Sequence, residues 1–168
     1  MASTIKVDTI AHTGGTSAMT VDSTGRLTRN VIPYIYLRGN SSAEVNSHGT
    51  VANYTNWSLE GSALGGMTWG GSNGRITVPV NGIYQLAAKF YLWINNAAAH
   101  SIIIKLNGTS FQEYATDFSA TGSGGRTDHT VTVNEILKLT AGDFITFSCS
   151  ADVYGGANHT NCQMVMLG

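Results

Sequence analysis

GRITVPVNGIYQLAAKFYLW, residues 74–93, is the stretch whose reading decides the fold. Two extended runs meet at Val80-Asn81-Gly82. In the first, Ile76, Val78 and Val80 share one face; in the second, Tyr84, Leu86, Ala88, Phe90, Leu92 and Ile94 do, with Gln85, Ala87 and Lys89 opposite. A period of two with one apolar side marks strands with one buried face. Towards its end the second run changes, because Tyr91 and Trp93 join the face that carried Gln85 and Lys89, and both faces become apolar. Such a strand needs cover on both sides. One sandwich supplies one cover, so the other is a local lid or another copy of the chain.

Outward from this stretch the same period recurs. Val31 to Leu37 reads as a first sandwich strand, with Pro33 marking an edge or strand start. Asn40 to Gly71 is rich in Gly, Ser and Asn, with Tyr54, Trp57, Leu64, Met67 and Trp69 spaced through it, and reads as short strands and long loops. Downstream, Ser101 to Leu106 turns at Asn107-Gly108, a strong hairpin signal, into Ser110 to Tyr114. Thr121 to Arg126 is a loop; Thr130 to Val133, Ile136 to Leu139, Phe144 to Ser150 and Cys162 to Leu167 follow as strands. No segment keeps a helical period. About eight to ten strands with Gly-rich turns imply an all-β antiparallel sandwich.

The chain of 168 residues suffices for one two-layer domain with an extension. Charged residues are 11% of it and the net charge is −1, which leaves no electrostatic footprint for nucleic acid or an anionic membrane. Neither a membrane span nor the apolar core of a signal peptide is evident, so classical secretion is not expected. Cys149 and Cys162 fall on what read as the last two strands. Antiparallel pairing of those strands would permit a disulfide, but small buried core thiols are the expectation in a chain with no secretory signal.

The valine-proline step, then Gly82-x-Tyr84-x-Leu86 opening a long strand, resembles the central strands of tumour-necrosis-factor-like and complement-globular-head jelly rolls. The likeness continues through Glu135-Ile136-Leu137-Lys138-Leu139, Ala141-Gly142-Asp143 and the alternating Ile145, Phe147 and Cys149, and takes in nearly all of the chain beyond the N-terminal segment. The resemblance implies a jelly roll over residues 31–168 that assembles as a homotrimer. It implies a three-fold axis lined by Ala87 and Tyr91 of the central strand and Val165 and Leu167 of the last.

Residues 1–30, MASTIKVDTIAHTGGTSAMTVDSTGRLTRN, form a separate segment with two short β-like pieces, Thr4 to Ile10 and Ala18 to Asp22. The Ser-Thr-Ile-Lys-Val-Asp run is similar to N-terminal segments of tailed-phage virion proteins, cyanophage-like ones in particular. Its apolar residues, Ile5, Val7, Ile10, Met19, Val21 and Leu27, are too few to offset the entropy of ordering the segment by itself. An arm that gains structure by adding strands to a partner is expected, with Ile5, Val7, Ile10, Met19 and Val21 as the attachment contacts; the alternative is an arm that packs back on its own trimer.

Candidate chemistry is thin. His12, His48, His100, His129 and His159 lie far apart and make no metal-binding spacing, and most read as loop surface residues. No Gly-x-Ser-x-Gly elbow is present. Asp117, Asp128 and Asp152 read as solvated loop carboxylates rather than calcium ligands, and Glu113 and Glu135 make no credible acid–base pair. Five Asn-x-Ser/Thr sequons, at Asn40, Asn53, Asn56, Asn107 and Asn158, are what this composition produces by chance. No cofactor, metal or catalytic residue is expected, and an enzyme is the least supported reading.

Three functions stay open. The first is a virion structural protein, a trimeric knob decorating the outer capsid surface as a cement protein, its arm gripping the major capsid protein or another virion component. The second is the receptor-binding tip of a tail or head fibre. The third is a carbohydrate- or small-ligand-binding module using Trp57, Trp69 and loop polar residues; a host surface glycan or receptor is the further partner. A fibre tip needs a stem, and no heptads, collagen triplets or β-helix repeats separate the arm from the jelly roll. Capsid decoration is therefore favoured.

Overall fold

The computed structural model describes residues 8–11, 17–21, 23–29, 32–40, 53–94, 100–116, 127–150 and 152–168. The chain divides into two compact units, Met1–Ile32 and Pro33–Gly168.

In the first unit β1 (Thr9–Ala11), β2 (Ser17–Val21) and β3 (Leu27–Arg29) form an antiparallel sheet in that order. The expectation of an arm left unpaired until a partner arrives is thereby corrected. The turn at Ser23-Thr24-Gly25 folds Leu27–Arg29 back on Met19–Val21, so the segment pairs strands of its own and keeps only the outer edges of β1 and β3 for a partner. Ile10 is 49% exposed and Val21 half-buried. Ile5 and Val7 lie outside the described residues, as does the Met19 side chain.

The second unit is a sandwich, built in chain order from β4 (Tyr34–Gly39), β5 (Trp57–Leu59), β6 (Thr68–Gly70), β7 (Arg75–Thr77), β8 (Gly82–Ile94), β9 (His100–Leu106), β10 (Thr109–Thr116), β11 (Thr127–Leu139), β12 (Phe144–Cys149), β13 (Asp152–Val153) and β14 (Asn161–Met166). One sheet runs β10-β9-β12-β7-β6. The other runs β11-β8-β14-β4-β5, with β13 pairing β8 off that path. The alternation of β8 is realised in full over its described side chains: Tyr84, Leu86, Ala88, Phe90 and Leu92 are all buried. They meet Ile76, Ile102, Ile104, Ile145 and Phe147 of the other sheet in one core.

The two runs on either side of Val80-Asn81-Gly82 do not pair with each other. β7 pairs β6 and β12, whereas β8 pairs β11, β13 and β14. Pro79 offers no N–H to continue a ladder, and the chain crosses between sheets there, which leaves Val80 43% exposed. A second crossing, β11 to β12, runs alongside. The Asn81 side chain accepts from the Ala141 N–H at 2.8 Å, the Val78 N–H donates to the Asp143 carbonyl, and the Gly142 N–H donates to the Val78 carbonyl. Asp143 also takes the Thr140 N–H and the Asn107 amide on its carboxylate, which holds its pKa below the usual carboxylate value. Asn107 and Gly108 form the expected hairpin turn with positive φ at both positions, 52° and 83°.

Two strands expected at 130–133 and 136–139 are one, β11, because Asn134 and Glu135 stay in register with Ala87 and Leu86. Cys149 and Cys162 are free and buried on different sheets, β12 and β14, so the strands that carry them never pair. Burial pushes both thiols far above their ordinary value.

Candidate functional site

Two features of the six-stranded sheet's outward face stand out, and both follow from strand parity. Odd-numbered residues of β8 and β14 and even-numbered residues of β4 and β11 point away from the core, in rows set by the register. One row is Tyr34, Val165, Gln85, Ile136; the next is Tyr36, Gln163, Ala87, Asn134; a third is Arg38, Asn161, Lys89, Thr132. Ala87 and Val165 thus lie on the face expected to line an axis. Leu167 continues it, its N–H donating to the Ile83 carbonyl at 2.7 Å.

The apolar surplus of that face sits at one end. Leu167 is 56% exposed, Ile136 67% and Ile83 46%, with Val165 half-buried among them. Ile83 and Ile136 are legible in the sequence by the parity that puts Gln85 outward, although they do not stand out among neighbouring polar residues. Around Ala87 the face is polar instead. Its small side chain leaves a hollow of about 500 Å³ between Tyr34, Tyr36, Lys89, Asn134 and Gln163.

Tyr91 shares the outward parity of Ala87 but is partly covered within the chain. Its ring lies 5.1 Å from His159 and 6.1 Å from Tyr154, centroid to centroid, under the loop that follows β13. Within the chain this end of β8 has a lid, which leaves Tyr91 half-buried. The Trp93 side chain lies outside the described residues. Thr160, wholly buried, closes the loop: it accepts from the Tyr91 N–H at 3.3 Å and donates to the Tyr154 carbonyl at 2.8 Å.

The loop and the ends of β4 and β5 flank an open pocket of about 520 Å³. Arg38 spans it: Nε donates to the Ala157 carbonyl at 3.2 Å, Nη2 to Asn158 Oδ1 at 3.1 Å, and Nη1 lies 3.5 Å from Glu60. Lys89 Nζ donates to the Asn158 carbonyl at 3.2 Å. None of this arrangement is legible in the sequence, since the bonds from Arg38 and Lys89 to the loop join residues 69 to 120 positions apart.

The tryptophans proposed for ligand binding are placed otherwise. Trp57 is buried in the core, edge-on to Tyr54, Phe90 and Phe147, and Trp69 is partly buried against that core. An aromatic in a Gly/Asn-rich segment cannot be told from a ligand platform by composition; here it fills the sandwich. Asp152 and His100 are also buried, in β13 and β9, rather than in surface loops. Asp117 lies outside the described residues, as does the Asp128 side chain. Glu135 interrupts the apolar inward row of β11 at the sheet edge, where Tyr114 of β10 donates a hydrogen bond to it; Glu113 is exposed. Among the described residues no group of three or more His, Cys, Asp or Glu comes together, and no helix is long and apolar enough to cross a membrane.

No known family model and no curated protein matches the chain in sequence. Solved structures match it in shape. Eiger TNF from S. frugiperda is 16% identical with a TM-score of 0.66, over 82% of this chain and 93% of that one. Murine APRIL is 12% identical with a TM-score of 0.60, over 81% of this chain and 99% of that one. The fold is the tumour-necrosis-factor-like jelly roll, all-β with two antiparallel sheets.

Proposed function

We propose that the chain is a phage virion structural protein, a homotrimeric knob that decorates the outer capsid surface and is attached there through the segment from Met1 to Asn30. The observation that carries the trimer is the cluster of Leu167, Ile83 and Ile136 on an uncovered sheet face, each about half exposed or more. Isolated monomers seldom leave contiguous apolar side chains in water, and the jelly-roll resemblance implies that copies of the same face cover one another. A permanent interface of this type buries on the order of 2,000–5,000 Å².

The virion placement is supported by the likeness of residues 1–30 to N-terminal segments of phage virion proteins. In the first unit β2 is central and β1 and β3 are the outer strands, so strand addition by a capsid protein at either edge gives attachment a physical form. Three such segments per knob make detachment require three releases, which multiplies residence time.

Copy number in purified particles tests the assignment. Hundreds of copies are expected of a shell component, whereas a handful would mean a fibre tip. A variant lacking residues 2–30 is expected to trimerise and fail to attach; loss of trimerisation would assign the segment to the knob itself.

A further inference from the structure

We propose that the pocket between Arg38 and the 154–160 loop binds a neutral pyranose sugar, the terminal unit of a glycan. All of its lining residues come from one chain, at the end of the outward face away from Leu167, Ile83 and Ile136.

Its walls are organised before any ligand arrives. Arg38 and Lys89 tie down the loop backbone at Ala157 and Asn158, and Thr160 staples the loop to β8. The N–H of Gly39 donates to the Thr160 carbonyl at 2.8 Å. A site fixed in this way avoids the ordering cost that weakens binding by mobile loops.

Its chemistry is that of polyol recognition. Tyr154 supplies an aromatic wall, held edge-on by His159 at 4.7 Å. Glu60, Asn40, Ser58 and Asn158 line the rest and present carboxylate, amide and hydroxyl groups. Sugar hydroxyls each donate and accept, so they require both kinds of partner at close spacing, and planar carboxylates and amides can engage two adjacent hydroxyls at once. The carbon-bound hydrogens of a pyranose ring give an apolar face for an aromatic wall. The volume falls within the range of small-molecule sites, about 300–1,000 Å³.

Charge decides between sugar classes. The single guanidinium is already engaged by Ala157, Asn158 and Glu60, and the Glu60 carboxylate offsets its charge. A phosphate, sulfate or sialic-acid carboxylate would meet a spent cation and a facing anion. A neutral hexose meets neither penalty.

The test is a titration of the ¹⁵N-labelled full chain with the methyl glycosides of glucose, mannose, galactose and N-acetylglucosamine, followed by amide chemical shifts. At least one glycoside is expected to shift Ser58, Tyr154 and Asn158 saturably, with affinity on the order of millimolar. Glu60→Gln, an exposed side chain with no strand role, and Tyr154→Ala are each expected to weaken that binding about tenfold or more. Three results would overturn the proposal: no saturable shift at the pocket with any of the four, equal affinity in a folded Glu60→Gln variant, or binding of sialyllactose in preference to all neutral glycosides.

Discussion

Gly39 at the end of β4 and Gly155 in the loop after β13 are in backbone-to-backbone contact. A Cβ on Gly39 would overlap the Gly155 carbonyl and stand 2.9 Å from the Gly156 oxygen. The absence of two side chains lets the loop lie against the sheet and cover Tyr91. Gly39→Ala is therefore expected to destabilise the fold by about 1–3 kcal/mol through overpacking. Urea denaturation reads this as a lower midpoint; an unchanged midpoint would mean that the loop yields without cost.

Tyr114 and Glu135 join the two sheets at the β10 and β11 edge. An inward carboxylate on an edge strand discourages pairing with another sheet, but it needs a donor. Tyr114→Phe removes that donor and is expected to cost about 1–3 kcal/mol. Adding Glu135→Leu should recover part of the loss, because the stranded carboxylate goes with it. If the double variant is less stable than Tyr114→Phe alone, the pair is not what closes that edge.

Both thiols lie in the core on separate sheets, and burial raises their pKa well above the ordinary thiol value. Neither Cys149 nor Cys162 is expected to react with an aromatic disulfide reagent in the native protein at pH 8, and both should react after unfolding. A reducing agent should leave the melting temperature unchanged. Rapid native labelling of either residue would contradict the packing described.

Asp143 has a pKa depressed first by the Asn107 amide and then by the Thr140 N–H. A carboxylate with a lower pKa folded than unfolded contributes stability fully above its unfolded value, about 3.9, and loses it as pH falls through the lower folded value. The stability difference between the native protein and Asp143→Asn should therefore be constant from pH 7 to pH 5 and shrink below pH 4. A difference that grows on acidification would reverse the sign.

Much of the sandwich is legible because burial imposes a period of two: Tyr84 to Leu92 and Ile145 to Cys149 identify their own faces. Pairing is less legible. Val80-Asn81-Gly82 has hairpin chemistry, yet Pro79 and the distant acceptor bond between Asn81 and Ala141 make it a crossing between sheets. Trp57 and Trp69 pack on the core, which their sequence context does not reveal, since an isolated aromatic gives no sign of which side of the sheet will claim it. The Arg38 pocket and the lid over Tyr91 depend on a loop whose position is set by bonds from Arg38 and Tyr91, both remote from it in sequence. In the N-terminal segment the turn at Ser23-Thr24-Gly25 is plain in the sequence. That it would bring a third strand onto the second is not, because Leu27–Arg29 carries too short a pattern to read.

The central claim is that copies of this chain cover one another through the outward face that carries Ile83, Ile136, Val165 and Leu167. Sedimentation equilibrium of the full chain and of Leu167→Asp tests it most directly. The expected result is a mass three times the 17.8 kDa of one chain for the native protein, and dissociation or aggregation for the variant. A native protein that sediments as a single chain, or a variant that stays trimeric, would contradict it.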